Sequence, residues 1–401
     1  MLSRGTGAQS KASFNEEIEG MGGKLESQVD REATSVSLRV MKGDVGRAVS
    51  LLGDAVSNAT LDTAELEIAK QEVAAEHEQN HTEYESTTLQ QCHYNCFRDH
   101  MMGQPTRGDP DSLMNLNTDV LSQYRAANYF GDNMVIVGTG GVGDHDSFVR
   151  EVEGAFSSIA QTSSAKRPNG EKCIYTPSLM MIRDDDMVNA NVGVFYDAPG
   201  YKHEDFFGFT LLKYMFGNYR VDKHAQNINS MEKQYNSHHS MLGIFPDVTI
   251  SNAHYFPYSD CGIWGNYFFG NEVFVRQMNY CGVAMPTIYS HYVNNVEVIR
   301  ARNALYNDLM NGYNNSGVMN KRIGNSMLTL GRYVTRSEWA TRVAQVDAYH
   351  IKHMANKWFY DAEPTWTNWG AIENTSSIGS YKYFKVNTMS TVTNAHHSLL
   401  T

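Results

Sequence analysis

The sequence contains no apolar run that approaches the roughly 20 residues a helix needs to cross a bilayer, so we expect a soluble or peripheral protein. Positive charge is also scarce, because 33 Lys and Arg face 44 Asp and Glu, a net charge of −11. Binding to nucleic acid without sequence preference requires a surplus of Lys and Arg that displaces counterions. The composition therefore argues against a nucleic-acid partner.

Cysteine is rare, and the five cysteines are an odd number scattered through a long chain, which excludes a secreted disulfide framework. Cys92 and Cys96 are one helical turn apart with His93 and His100 nearby, an arrangement that raises the alternative of a metal site. Zinc sites normally use a shorter spacing and a second pair of ligands. The sequence offers no such second pair, so we interpret these cysteines as buried thiols.

The length of 401 residues, with 41% hydrophobic residues, is enough for two globular domains. A linker-like stretch over 161–172 divides the sequence, and a similar order of strands and helices begins again after it. We predict an α+β fold of two homologous domains, 1–160 and 173–385, each a sheet with helices packed on one face, followed by a tail, 386–401.

Local patterns in the first half predict several elements. Apolar residues at helical spacing predict a short helix over 12–22, and the segment after it predicts a pair of strands with a turn near Asp30. Residues 60–101 are typical of a long helical region. The run NMVIVGTGG, 133–141, predicts a buried strand that leads into a further helix.

Two short motifs suggest ligand binding but are better explained by turns. Gly138, Gly140 and Gly143 follow the predicted strand and match the dinucleotide fingerprint, yet no βαβ unit with a ribose-binding acid follows. A plain corner between a strand and a helix requires the same glycines. The acids 184–186 would suit a cation, but three consecutive acids beside a strand are more typical of a solvated turn.

Residues 77–81 read H-E-x-x-H, the zincin signature, which would place His77 and His81 on one helical face beside a potential general base. The neighbouring residues are polar, and this composition is typical of a solvated helical face instead. The pair His238 and His239 lies in a predicted polar loop with no third ligand nearby. Neither pattern by itself establishes a metal site.

Several blocks together carry a family resemblance that extends from residue 1 to about 385. They include RGT (4–6), IEGMGG (18–23), DRE (30–32), ELEIAKQEVAAE (65–76), NMVIVG (133–138), YSDCGIWGNYF (258–268), RIGNSMLTLGR (322–332) and YDAEPTWTNWGAIE (360–373). On these blocks the chain resembles the M16 (pitrilysin-like, inverse-zincin) metallopeptidases. Among them it is most similar to the β subunit of the mitochondrial processing peptidase and to core protein 1 of the cytochrome bc1 complex.

The resemblance implies an M16-type (LuxS/metallopeptidase-like) fold for both predicted domains. Active members of the family bind zinc through H-x-x-E-H and a downstream Glu, and the alignment places Met1 directly after the second histidine and the downstream ligand on Glu76. A lone carboxylate does not hold zinc, since a catalytic site uses about three protein ligands. We therefore expect no cofactor and no catalytic residue in this chain, with zinc on His77 and His81 as the less favoured alternative.

A second departure concerns the strand on which active family members hold the substrate backbone by strand addition. The resemblance places Glu26 and Ser27 where those members usually carry an Asn-Ala pair. A carboxylate at this position would be a poor neighbour for the carbonyl groups of a substrate backbone.

Three explanations of the sequence start stay open: a truncated gene model, a natural fragment completed by a separate polypeptide, or a true loss of the motif. An M16 domain without its first strands would expose a sheet edge and part of its core. We therefore expect a separate N-terminal fragment, or an extension absent from this sequence, to cover that surface.

The resemblance implies a non-catalytic core subunit of the mitochondrial cytochrome bc1 complex (respiratory complex III), peripheral to the inner membrane on its matrix side. The implied partners are an α-type, core 2-like subunit and the cytochrome b, cytochrome c1 and Rieske subunits. The alternative is a zinc-dependent processing peptidase β subunit that cleaves mitochondrial presequences, if an H-x-x-E-H motif is supplied upstream of Met1.

Overall fold

The structure, a computed structural model, describes residues 2, 4–80, 83–162, 171–221, 236–245 and 248–373. The chain divides into two compact units: unit 1 comprises Met1–Gln79, Pro105–Glu171 and Met310–Val334, and unit 2 comprises Asn80–Gln104, Lys172–Leu309 and Thr335–Thr401. The change at 171–172 lies at the end of the predicted linker, of which 163–170 are outside the described residues, as is the predicted tail, 386–401. The domain boundaries at 160, 173 and 385 stay a prediction.

The helices of the described residues are α1 (Lys11–Gly20), α2 (Val45–Ser57), α3 (Thr63–Asn80), α4 (Tyr84–Phe97), α5 (Pro110–Met114), α6 (Thr118–Asn128), α7 (His145–Ala155), α8 (Phe206–Phe216), α9 (Ser237–Leu242), α10 (Val275–Tyr289), α11 (Asn295–Tyr313), α12 (Ser316–Leu330), α13 (Arg336–Gln345) and α14 (Ala348–Trp358). The strands are β1 (Lys24–Val29), β2 (Thr34–Arg39), β3 (Leu179–Arg183), β4 (Asn189–Asp197), β5 (Asn218–Arg220), β6 (Val248–Pro257), β7 (Gly262–Asn271) and β8 (Thr365–Gly370). Within this part of the chain, no helix combines the length and apolar character that membrane spanning requires.

Unit 1 contains the predicted short helix and strand pair. Helix α1 buries Phe14 and Ile18, which share one face because they are four residues apart. They pack against Leu51 of α2. Strands β1 and β2 form an antiparallel hairpin, and the Asp30 amide closes its turn by donating to the Ala33 carbonyl at 2.8 Å. The turn near Asp30 is therefore confirmed.

The predicted buried strand of unit 1 is wrong. Met134 has extended dihedral angles (φ −122°, ψ 143°), but residues 134–138 pair with no strand among the described residues. Val135 and Ile136 are 36% and 42% exposed. The β-branched run fits a strand, but a strand also requires a neighbour to pair with, and the described residues of unit 1 provide none.

Unit 2 is built on a six-stranded sheet of order β3-β8-β4-β7-β6-β5, in which only the β3–β8 pair is parallel. Strand β4 lies between β8 and β7 and is buried from Ala190 to Tyr196. Its nearly continuous apolar sequence reflects burial on both faces of the sheet.

One face of this sheet carries the expected layer of helices. Val194 of β4 lies against Gly282 of α10, and Trp264 of β7 packs with Phe209 of α8 and with Phe359, which follows α14. The long helical region predicted over 60–101 is two helices, α3 and α4. The second of them, α4, packs on the opposite face of the unit 2 sheet, a position that the sequence analysis did not foresee.

Helix α4 approaches the sheet closely because Gly193 of β4 has no side chain. A Cβ atom at Gly193 would collide with the Cys92 thiol of α4. The polar Asn95 of α4 is fully buried, and its amide donates to the Trp366 carbonyl at 2.9 Å and to the Thr367 hydroxyl at 3.1 Å. These bonds offset the cost of burying an amide.

Helix α10 has no counterpart in the sequence analysis. Its sequence includes Pro286, and proline inside a helix removes one hydrogen bond and normally signals a break. Pro286 lies in the last turn, where the disruption is small, and the helix buries most of its surface against the sheet and α14. Tertiary packing therefore outweighs the local signal.

We expect Gly193→Ala to destabilise unit 2 by about 1–3 kcal/mol, since the added methyl group would force α4 away from the sheet. All five tryptophans lie in unit 2, so their fluorescence during denaturant unfolding measures the change. Cys92→Ala should restore much of the lost stability in the double variant, because it removes the thiol that the methyl group meets. Simple additivity of the two substitutions would contradict this packing account.

Candidate functional site

The acidic face of α3 is the part of the structure that relates most directly to the metal site implied by the resemblance. Glu65, Glu72 and Glu76 are spaced by seven and four residues, which places them on one face of the helix. Glu76, the predicted ligand position, is exposed one turn beyond Glu72.

Two cations of the N-terminal segment neutralise part of this acidic face. The Arg4 guanidinium contacts Glu65 Oε2 at 3.2 Å and also pairs with Glu72. The Lys11 ammonium lies 4.0 Å from Glu65 and 3.9 Å from Glu72. Only 11% of the Arg4 side chain is exposed, so this pairing is less screened by solvent than an ordinary surface ion pair.

The position of Arg4 depends on short backbone contacts around it. Gly5 forms an isolated β-bridge with Ser10, and Thr6 forms one with Ala59. The Thr60 amide also donates to the Gly5 carbonyl at 3.0 Å. These bonds fix the segment after Arg4 against the end of α2, and Arg4 itself reaches α3.

Among the described residues, no group of three metal-ligating side chains includes Glu76. Within the described part of the chain, three metal-ligating side chains converge at one place, His203, Glu204 and Asp205 of unit 2. The zincin alternative cannot be placed, because His77 lies on α3 but His81 is outside the described residues. The carboxylates that face the N-terminal segment are occupied by a guanidinium and an ammonium, and a divalent cation there would meet like charges.

Within this group, Asp205 is already paired with the ammonium of Lys357. Lys357 Nζ and Trp358 Nε1 each donate to Asp205 Oδ2 at 2.9 Å. Burial raises the pKa of Asp205, but these bonds and the Lys357 charge outweigh it, so the pKa lies below its usual value. The carboxylate therefore has a structural role in joining α8 to α14.

The predicted substrate-strand residues, Glu26 and Ser27, are exposed on β1. Lys24 Nζ lies 3.0 Å from Glu26 Oε1, and this hydrogen bond and charge lower the pKa of Glu26, as do the charges of Lys321 and Arg39. The nearby cations, Lys24 above all, therefore favour the ionised form of Glu26.

A cavity of about 510 Å³ in unit 2 was not foreseen from the sequence. It is lined by residues of α4, β6, β7 and the segment before α4: Glu83, Tyr84, Glu85, Ser86, Leu89, Ile250, Tyr267 and Phe269. Glu85 accepts hydrogen bonds from His254 Nε2 at 2.8 Å and from the Asn252 amide at 2.9 Å. In the sequence Tyr84 and Glu85 belong to a helical pattern, and only the tertiary fold brings the strands to them.

The His238–His239 pair lies in α9, and the prediction of a polar loop is wrong. Burial lowers the pKa of His238 to about 3, with a further effect of His239. Burial and the nearby Arg300 charge lower the pKa of His239 to about 4. Both imidazoles are therefore neutral near pH 7, and they serve the apolar core around Phe216.

The remaining motifs have structural explanations that agree with the sequence analysis. The acids after β3 form a turn in which the Asp186 amide donates to Asp184 Oδ1 at 3.1 Å. Gly140 and Gly143 have φ of 91° and 86°, values that favour glycine, and they lead into α7, which Asp144 caps. All five cysteines are buried free thiols, as predicted.

The fold and these motifs agree with two protein-family models. The model described as Insulinase (Peptidase family M16) matches residues 1–110, and the model described as Peptidase M16 inactive domain matches residues 115–279. The chain belongs to peptidase family M16. The predicted α+β class with two M16-type domains is confirmed.

Relatives within the family carry two different names. The bovine (Bos taurus) mitochondrial-processing peptidase subunit beta is 26% identical over 374 residues, which cover 93% of this chain and 75% of that protein. The bovine cytochrome b-c1 complex subunit 1 is 24% identical over 372 residues, which cover 92% and 76% of the two chains. The processing peptidase subunit beta of Lentinula edodes is 26% identical over 94% of this chain and 81% of its own.

A solved structure of complex III2 from Candida albicans, with Inz-5 bound, contains a chain of similar fold. The TM-score is 0.78 at 18% sequence identity, and the match covers 91% of this chain and 86% of that one. At this identity the likeness establishes the fold. Identities of 24–26% to both kinds of relative do not distinguish a processing peptidase subunit from a complex III subunit.

We expect Arg4→Gln to lower the stability of unit 1 by about 1 kcal/mol, because Glu65 and Glu72 would lose their least exposed cation. Arg47→Gln is the matched control: Arg47 pairs with Glu17 at 3.3 Å, but 59% of its side chain is exposed. Thermal unfolding followed by circular dichroism compares the two variants. Equal effects, or no coupling of Arg4→Gln with Glu72→Gln in a double-mutant cycle, would contradict a special role of Arg4.

Proposed function

We propose that this chain is a non-catalytic core subunit of the mitochondrial cytochrome bc1 complex. The observation that carries the proposal is the Arg4 guanidinium paired with Glu65 and Glu72 on the acidic face of α3. These ion pairs neutralise the acidic face of α3 one turn before Glu76, so the described residues stabilise that face without a metal. The bovine complex subunit and the complex III chain of Candida albicans support the assignment to complex III.

The proposed partners are an α-type, core 2-like subunit and the cytochrome b, cytochrome c1 and Rieske subunits. The proposed location is the matrix side of the inner membrane, where the chain is peripheral. The support is the likeness to a protein named as subunit 1 of the cytochrome b-c1 complex and to a chain of complex III2. The net charge of −11 is compatible with partners of the opposite charge.

We further propose that an additional polypeptide segment completes unit 1 by pairing with residues 134–138. Among the described residues, the backbone amides and carbonyls of Val135, Ile136, Val137 and Gly138 have no hydrogen-bond partner. One face of this segment is already covered, since Val137 lies beside Gly324 of α12 and Gly138 lies beside Phe148 of α7. Met134 has extended dihedral angles, and backbone groups without partners favour the addition of a strand.

Amide hydrogen exchange tests this pairing. We expect the amides of 135–138 to exchange at least about tenfold more slowly in the assembled complex than in the isolated chain, because pairing adds hydrogen bonds. Buried β4 amides, 192–195, are the internal control and should be protected equally in both samples. Fast exchange of 135–138 in the complex would exclude a paired strand.

The second candidate function is the processing peptidase β subunit. The observations that favour it are the 26% identity to the bovine peptidase subunit and the presence of exposed Glu76 on the acidic face of α3. Zinc would then require histidine ligands together with Glu76, and bound metal would polarise the attacking water.

Metal content and peptide cleavage separate the two candidates. For the core subunit we expect less than about a tenth of an equivalent of zinc in the purified complex, since a catalytic site needs about three protein ligands. We also expect no cleavage of a basic presequence peptide. Stoichiometric zinc together with cleavage that a chelator abolishes would establish the peptidase instead. Glu76→Gln distinguishes them further, because it should lower zinc content only in the peptidase.

A further inference from the structure

Four of the five cysteines lie in one buried cluster of unit 2, although they are far apart in the sequence. Cys92 and Cys96 come from α4, Cys173 from the segment before β3, and Cys261 from the turn between β6 and β7. Apolar side chains of Phe97, Met102, Phe195 and Ile263 surround them. Cys281 lies apart from this cluster on α10.

Two of the four thiols are neighbours within this cluster. Cys173 and Cys261 both belong to it, and their thiols are close enough that Cys173 raises the pKa of Cys261. A hydrogen bond beside the pair joins the two segments, because the Cys173 amide donates to the carboxylate Oδ2 of Asp260, the residue before Cys261, at 3.2 Å. The Tyr258 amide donates to the Cys261 carbonyl at 2.8 Å and closes the turn that carries the second thiol.

The same two cysteines are the least buried of the five. Cys173 and Cys261 are 6% and 8% exposed, whereas Cys92, Cys96 and Cys281 are 0% exposed. Oxidation of a thiol depends on its access to the oxidant as well as on its ionisation. The proximity of Cys173 to Cys261 and their higher exposure to solvent together distinguish this pair among the five cysteines.

We propose that Cys173 and Cys261 form a reversible disulfide when the protein meets a low-molecular-weight disulfide such as glutathione disulfide. The bond would join the segment that enters unit 2 at residue 172 to the β6–β7 turn. It makes this pair a redox-modification site within unit 2.

The chemistry is a double thiol–disulfide exchange. The Cys173 thiolate attacks one sulfur of glutathione disulfide, which forms a mixed disulfide on Cys173 and releases one glutathione thiolate. The Cys261 sulfur then attacks the Cys173 sulfur and releases the second glutathione. The two protons of the protein thiols go to the two released glutathiones, so that two protein thiols are oxidised and one glutathione disulfide is reduced.

The second exchange should be the slow one. The hydrogen bond with Cys173, burial, and the charge of Asp260 raise the pKa of Cys261. The Asp260 carboxylate, which also interacts with the Cys261 thiol, is placed to accept its proton. Because a thiolate is the reactive species, formation of the disulfide should accelerate as the pH rises.

The test is to incubate the folded full-length chain with glutathione disulfide and then count free thiols under denaturing conditions. We expect the count to fall from five to three, with loss of two hydrogen atoms from the intact mass and full reversal by dithiothreitol. Proteolysis without reduction should yield one cross-linked pair of peptides that contains Cys173 and Cys261. A cross-link between other cysteines, a glutathione adduct without a cross-link, or no oxidation would each overturn the proposal.

Substitutions give a matched control. Cys173→Ser should keep its four remaining thiols without a cross-link, whereas Cys281→Ser should still lose two thiols to the bond. Cys261→Ala replaces the first variant if Cys173→Ser does not fold. Loss of two thiols in either single variant of the pair would show that a different pair reacts and would refute the assignment.

Discussion

Helix α4 lies close against the sheet of unit 2 because Gly193 leaves room for the Cys92 thiol. This contact gives β4 a covered second face, and the buried amide of Asn95 joins α4 to β8 through two hydrogen bonds. The beginning of α4 contributes to the 510 Å³ cavity, and its last turns carry half of the cysteine cluster. Both the cavity and the cysteine cluster depend on the close approach of α4 to β4.

Unit 1 depends on ion pairs as well as on apolar packing. Its apolar cluster around Phe14, Ile18 and Leu51 is small, and the segment 134–138 has unpaired backbone groups among the described residues. Arg4 joins the N-terminal segment to α3 through Glu65 and Glu72. A non-catalytic role agrees with this arrangement, because a guanidinium stabilises two adjacent carboxylates without forming a reactive centre. The unpaired backbone groups of 134–138 agree with the proposed pairing with a further segment on assembly.

The sequence pattern predicts which glutamates share one face of α3, but it does not predict which cations pair with them. The spacing of Glu65, Glu72 and Glu76 places them on one helical face from the sequence alone. The residue resemblance directed attention to Glu76, whereas the structure brings Arg4 to Glu65 and Glu72. The charge of Lys321 also lowers the pKa of Glu26, and this effect was not foreseen because the two residues are nearly three hundred positions apart along the chain.

The sequence by itself determined helix α1, the β1–β2 hairpin and the turns at Asp30 and at Gly140, because these depend on periodicity and on backbone preferences of neighbouring residues. The family and its α+β fold followed from the resemblance of several sequence blocks. The tertiary structure decided the placement of α4, the burial of His238 and His239, the convergence of Cys173 with Cys261, and the exposure of Val135 and Ile136. Each of these results from contacts between distant segments. Local preference does not encode which partner a strand finds, which cation reaches an acid, or which thiols meet.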